Sequence, residues 1–215
     1  MAMLVGVDEA GRGPALGSMF VAAVALSDDT SLPDGVADSK TLTPDRRETL
    51  AATLRADPAI TVAIEEIPVE TIDRETGRLN QLTATGHAAV IDRCVQPGAA
   101  MDVIVDACDV DEQRFSGYVV ERMDAEVPVR AVHGADANHP VVAAASIMAK
   151  SAREDHVRTL SAEYGNIGSG YPSDPTTQAF LEAYVDEMST LPNCARTTWK
   201  PCQQLLASAE QMTLD

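Results

Sequence analysis

Lysine is nearly missing from this chain: three occur in 215 residues, at positions 40, 150 and 200. Cysteine is sparse too, with Cys94, Cys108, Cys194 and Cys202 scattered and no CxxC pair. That spacing argues against a zinc site or a disulfide framework and for free, buried thiols in a reducing cytoplasm. No run approaches the ~18 apolar residues of a membrane span. No basic segment followed by an apolar one opens the chain, so neither secretion nor a membrane partner is expected. Aromatic residues make up only 4%.

What is abundant is acid. Asp and Glu number 33 against 16 Lys and Arg, a net charge of -17. Acidic blocks often mean disorder, but here the acids are interspersed with a strong apolar pattern at 45% hydrophobic content. A folded surface adapted to concentrated salt accounts for both, and points to a halophile. The charge alone would argue against a nucleic-acid partner. In molar salt that argument weakens, because the Debye length falls to about 3 Å and short-range contacts decide binding. Lysines retained on such a surface, in "DSK", "ASIMAK" and "TTWK", then become informative.

The chain suits one domain with a small appendage. Strands are expected over 4–8, 18–26, 60–68, 101–106 and 127–136. Helices are expected over 43–55 (Thr43 as cap and Pro44 in the first turn), 79–95, from about 139 with Asn138 as cap, and over 173–188, with a short one from Gln203. This order predicts an α/β fold: a mixed five-stranded sheet flanked by helices, residues 1–165, with a C-terminal helical extension, 166–215, in a single structural unit.

Three of these strands end in acid. Asp8 and Glu9 close the first in "GVDEAGRGP", Asp106 closes the fourth and Asp136 follows the fifth. Gathered carboxylates repel unless a cation lies between them, and hard divalent ions are the usual answer. Two such ions can stabilise both oxygens of a phosphoryl displacement. Neighbouring strand residues face opposite sides, so Asp8 and Glu9 are expected to share a site only through a backbone break, which Gly11 and Gly13 would make cheap. Solvated turn acids would give the same pattern. On the helix after Asp136, Ser146, Lys150 and Arg153 share a face and could hold phosphates, or form a solvated basic patch. Gly11, Arg12 and Gly13 offer backbone amides to a ligand, or a tight turn. Tyr171, in "GSGYPSDP", could stack on a sugar or base, or anchor a turn. His87, His133, His139 and His156 show no metal-ligand spacing and are read as structural.

Together "GVDEAGRGP", "DSK", "VDACD", "AD…PVVAAASIMAK…R" and "GSGYPSDP" resemble, in order, the motifs of type 2 ribonucleases H in their archaeal form. The likeness runs from about Leu4 to Lys200. It implies a ribonuclease H-like fold and an endonuclease. Family members hydrolyse the RNA strand of RNA–DNA hybrids and nick 5′ of ribonucleotides embedded in duplex DNA, leaving 3′-hydroxyl and 5′-phosphate ends. It implies Mg2+ or Mn2+ on Asp8, Glu9, Asp106 and Asp136. Gly11, Arg12 and Gly13 would read the ribose 2′-hydroxyl and Tyr171 the RNA–DNA junction. Ser39 and Lys40 would contact the DNA strand, and Lys150 and Arg153 match further basic positions. The related ribonuclease HIII family carries an extra N-terminal domain, for which a motif within ten residues of the start leaves no room. Rival readings are a resolvase or integrase-like nuclease of the same broad fold and a non-catalytic hybrid-binding module. A cytoplasmic monomer is expected. The tail "QQLLASAEQMTLD" is no clear motif for a sliding clamp.

Overall fold

A computed structural model describes residues 3–27, 31–36, 42–95 and 100–212. It separates the chain into two compact units. The first comprises residues 1–10, 20–66 and 78–152, the second residues 11–19, 67–77 and 153–215.

The first unit is built on a five-stranded sheet of order β3-β2-β1-β4-β5. Its strands are β1 (Met3–Ala10), β2 (Met19–Leu26), β3 (Thr61–Ile67), β4 (Met101–Asp106) and β5 (Val129–Val132). β1 runs antiparallel to β2 and parallel to β4, and β4 runs parallel to β5. The sheet is therefore mixed, as the sequence predicts. α1 (Pro44–Ala56) starts at Thr43, whose side chain accepts from the Arg46 amide, with Pro44 in the first turn. α3 (Leu79–Cys94), α4 (Glu112–Val120) and α5 (Pro140–Tyr164) complete the layers.

Alternation decides which side chain meets which helix. Leu4, Ala22, Val24, Leu26 and Ile104 pack with Leu50, Ala51 and Leu54 of α1 and with Val141 to Ala149 of α5. α3 lies along β1. Burying each Val, Leu or Ile here contributes about 1.5–3 kcal/mol before the entropy of ordering it. Gly6 permits the closest approach: a Cβ there would fall 2.3 Å from the Val141 carbonyl carbon.

The second unit holds α2 (Val69–Arg74), α6 (Pro175–Met188), α7 (Lys200–Met212) and the last part of α5. Its core joins Leu16, Leu160, Ile167, Leu181, Val185 and Leu191. Asp174 caps α6 by accepting from the Thr176 amide. α5 is one continuous 25-residue helix with no linker inside it. Residues 15–17 are held to the C-terminal segment by main-chain bonds, among them Gly17 N–H to Cys194 O at 2.8 Å and Ala15 N–H to Gly170 O at 2.8 Å.

Three local expectations change. Strand β5 stops at Val132, because Gly134 takes a left-handed conformation (φ 59°) and turns the chain into a 3-10 turn, Ala135–Ala137. Asn138 closes that turn, and α5 begins at Pro140, so the capping position falls to His139. α2 and α4, absent from the sequence reading, are short. The four cysteines are free, and three are buried. Among the described residues no helix is long and apolar enough to cross a membrane.

Candidate functional site

The parallel pairing of β1 with β4 ends at Val7 opposite Val105. Asp8 and Asp106 are the next residues on each strand, so the two acids emerge side by side at the ends of neighbouring strands. Asp106 also bonds forward: its Oδ1 accepts from the Ala135 amide at 2.6 Å. That bond ties the end of β4 to the 3-10 turn carrying Asp136.

The expected break in β1 is not present. Asp8 pairs with Ala22 and Glu9 with Val21, in unbroken antiparallel register. The two carboxylates therefore take opposite faces of the sheet, and each finds a different support. On one face Ser146 of α5 is fully buried and favours ionised Asp8. The hydroxyl nevertheless falls short of regular hydrogen-bond geometry with any partner. It lies near Asp8 without bonding to it. On the other face His87 of α3, wholly buried, places Nε2 2.9 Å from Glu9 Oε2. The edge of its ring meets Phe115 of α4, with centroids 5.2 Å apart.

Electrostatics shows that the acids form one group. Burial, and then the charges of Glu9 and Asp106, push Asp8 well above the usual carboxylate range. Burial first, then the charges of Glu9 and Asp136, raise Asp106 against the opposing bond from Ala135. Asp8 is 6% and Asp136 8% exposed. Buried carboxylates held against mutual repulsion, beside an unsatisfied serine hydroxyl, make an all-oxygen donor set that suits a hard divalent cation. Among the described residues no group of three or more His, Cys, Asp or Glu side chains is arranged to hold a metal ion by itself. Mg2+ keeps several waters and uses one or two carboxylates plus substrate phosphate, so an open donor set of this kind fits it. The second acid of "VDACD", Asp109, has a different task. Arg114 foremost, then Asn80 and the Asp111 amide, bond it and hold its carboxyl below the ordinary range.

The second unit contains the glycine loop. Gly11 has φ +90°, a conformation that L side chains rarely adopt, and Gly13 leaves room for the Tyr171 ring, whose Cε1 would lie 3.5 Å from a Cβ there. Tyr171 is 40% exposed. Arg153 stacks on that ring, guanidinium 5.0 Å from its centroid, and donates to Ser169 O at 2.5 Å. Asp174 takes the Ser169 amide and is lowered to about 2, chiefly by its bonds to Ser169.

The predicted residues thus divide. Asp8, Glu9, Asp106 and Asp136 are brought together, with Ser146 beside them. Lys150 is half-buried one turn further along α5. Gly11, Arg12, Gly13, Arg153 and Tyr171 gather in the second unit, where Arg153 supports Tyr171 and the Ser169 carbonyl. Ser39 and Lys40 lie outside the described residues. His133 and His156 serve structure, through Asp109 O and the Ser18 amide. Two residues escaped sequence reasoning. His87 gave no signal beyond its place on the buried face of α3, and Arg196 sat unremarked in "CARTTWK".

The model of the family described as Ribonuclease HII matches residues 5–202. A Ribonuclease HII of Natronomonas pharaonis is 50% identical over 215 residues, covering 100% of this chain and 99% of that protein. A Ribonuclease HII of Halobacterium salinarum is 51% identical over 211 residues, covering 98% of this chain and 97% of that protein. The crystal structure of the ribonuclease H2 from Pyrococcus horikoshii OT3 superposes with a TM-score of 0.87 at 32% identity, covering 97% of this chain and 99% of that one. A structure of the PCNA:RNase HII complex from Archaeoglobus fulgidus gives 0.82 at 37% identity, covering 92% and 95%.

Proposed function

The chain belongs to the ribonuclease HII family and is a ribonuclease H endonuclease, and from that premise we propose that it hydrolyses the RNA strand of RNA–DNA hybrids and nicks duplex DNA 5′ of single embedded ribonucleotides, leaving 3′-hydroxyl and 5′-phosphate ends. Asp8, Glu9, Asp106 and Asp136 would hold two divalent cations, Mg2+ or Mn2+. When bound, these supply an activated water and charge stabilisation at the departing 3′-oxygen.

The remaining work belongs to the chain. The four acids arrive on a rigid sheet end and its adjoining turn, so their oxygens are preorganised rather than recruited. His87 fixes the rotamer of Glu9 from one face, while Ser146 favours ionised Asp8 from the other. No side chain needs to act as nucleophile. The amides of the Gly11–Gly13 loop receive the 2′-hydroxyl, the group that separates RNA from DNA locally. The Tyr171 ring, braced by Arg153, stacks at the junction nucleotide. Lys150 meets a backbone phosphate. A sliding clamp is proposed as a partner on the strength of the Archaeoglobus fulgidus complex alone.

The observation that carries this reading is geometric: Asp8 and Asp106 follow the last paired residues of neighbouring parallel strands, and Asp106 Oδ1 accepts from the Ala135 amide of the turn that carries Asp136. The test is incubation at several salt levels, with Mg2+ or with EDTA. The substrates are a duplex holding one ribonucleotide, an RNA–DNA hybrid and an all-DNA junction. Metal-dependent cuts 5′ of the ribonucleotide are expected. Cutting of the all-DNA junction would favour the resolvase reading, and binding without turnover the non-catalytic one.

A further inference from the structure

Among the described residues Arg196 is the largest side chain sealed from solvent, 0% exposed. Its guanidinium spends its donors on main-chain carbonyls of a single loop. Nε donates to Gly17 O at 2.9 Å, Nη1 to Arg12 O at 2.8 Å and Nη2 to Gly11 O at 2.5 Å. The Trp199 ring lies 5.0 Å below the guanidinium carbon. Burial above all, then the charge of Arg153, lowers it to about 10, against the opposing charge of Asp73. A buried cation of this kind is expensive, so what it accomplishes needs an account.

The base of the side chain is anchored. Arg196 N–H donates to Ala15 O at 2.8 Å, and Leu16 bridges Ala195. Just beyond, Asp73 accepts from both the amides and the hydroxyls of Thr197 and Thr198.

A trans peptide is planar, with its C=O and N–H directed oppositely, and the described chain has no cis peptide. A carbonyl drawn toward Arg196 therefore turns the next amide away from it. The third peptide shows this: Gly17 O faces Arg196, and the Ser18 amide on its far side donates to His156 Nε2 at 3.1 Å. By the same geometry, drawing in Gly11 O and Arg12 O directs the successive amides of Arg12 and Gly13 to the opposite side. Two consecutive amides on one side can converge on a single oxygen.

We propose that Arg196 is a positioning residue for sugar recognition: by clamping the Gly11 and Arg12 carbonyls it aims the Arg12 and Gly13 amides at the ribose 2′-hydroxyl. This rests on the reading of that loop under Proposed function. Lysine cannot replace it, since a point-like ammonium lacks the planar fork that spans three carbonyls.

The test is a ratio of dissociation constants, measured in EDTA so that no strand is cut. The two duplexes are identical except that one carries a single ribonucleotide. The wild-type protein, Arg196→Lys and Arg196→Gln are compared. Global unfolding lowers the active fraction for both duplexes alike and leaves the ratio unchanged, whereas loss of aim lowers it. Wild type is expected to prefer the ribonucleotide duplex, and both variants to lose about tenfold of that preference. Folded variants that keep the wild-type ratio would overturn the role of Arg196 while leaving the loop reading intact. Failure of both variants to fold would overturn it too, making Arg196 a residue of the fold. A wild-type protein with no preference would instead sink the loop reading, and the role of Arg196 with it.

Discussion

Gly6→Ala tests how the active-site helix is seated. The added Cβ would lie 2.3 Å from Val141 C, 2.4 Å from its O and 2.5 Å from Val142 N. These are main-chain atoms and cannot rotate aside. Carbon contacts settle near 3.5 Å, so β1 and α5 must part by about 1 Å. Val141 to Ala145 are all at most 1% exposed, so this separation thins a packed layer over several residues. Overpacking costs about 1–3 kcal/mol, and the upper end applies where backbone opposes backbone. For a chain of this size about 3 kcal/mol lowers the melting temperature by about 6–12 °C. The same shift draws Ser146 away from Asp8, and a misplacement near 1 Å can cost about a hundredfold in rate. Thermal unfolding by circular dichroism in molar salt reads the first effect, and nicking well below the transition reads the second. A melting temperature within 2 °C of wild type, with full activity, would refute the packing argument.

Asp8→Asn and Asp136→Asn are each expected to abolish cleavage with the circular dichroism spectrum retained; near-wild-type turnover in either would contradict the metal assignment. Because the folded Asp8 carboxyl is raised, its protonated form favours the fold at low pH. Metal-free stability should fall as pH rises from the ordinary carboxylate range near 4 through the raised value. Asp8→Asn should therefore melt above wild type in EDTA at pH 8, and the gap should close below about pH 4; an equal or lower melting temperature at pH 8 opposes the sign of this argument. His87→Ala strips a partner from Glu9, whose side chain is 7% exposed, and should cost about 2–3 kcal/mol in a urea titration; a loss under 0.5 kcal/mol would mean the bond supports nothing. Tyr171→Ala should reduce nicking at single ribonucleotides more than cleavage of long hybrids, and equal losses on both would argue against a junction role.

How much of this was legible depended on the kind of signal. Alternating or continuous apolar runs mark all five strands, and Thr43-Pro44 and Asp174-Pro175 mark helix starts, because capping chemistry is local. The brief α2 and α4 lack a long apolar face, and the capping bond of Asp111 to Arg114 N lies in a stretch that drew attention as a strand end. The four acids were legible as strand ends. The manner of their meeting was not, since Asp8 and Glu9 approach from opposite faces of an unbroken strand. Arg153 shares a helical face with Lys150 by spacing, yet tertiary contacts commit it to Tyr171. His87 and Arg196 exert their effects on residues 78 and about 180 positions away in the chain, a pairing that no local pattern encodes.

The central claim is that Asp8, Glu9, Asp106 and Asp136 form one seat for divalent ions. Its most direct test is titration of Mn2+ into the metal-free protein, followed by electron paramagnetic resonance, with Asp8→Asn and Asp136→Asn alongside. Saturable binding by wild type that weakens strongly in each folded variant is the predicted result. Undiminished Mn2+ binding by both variants would contradict the account.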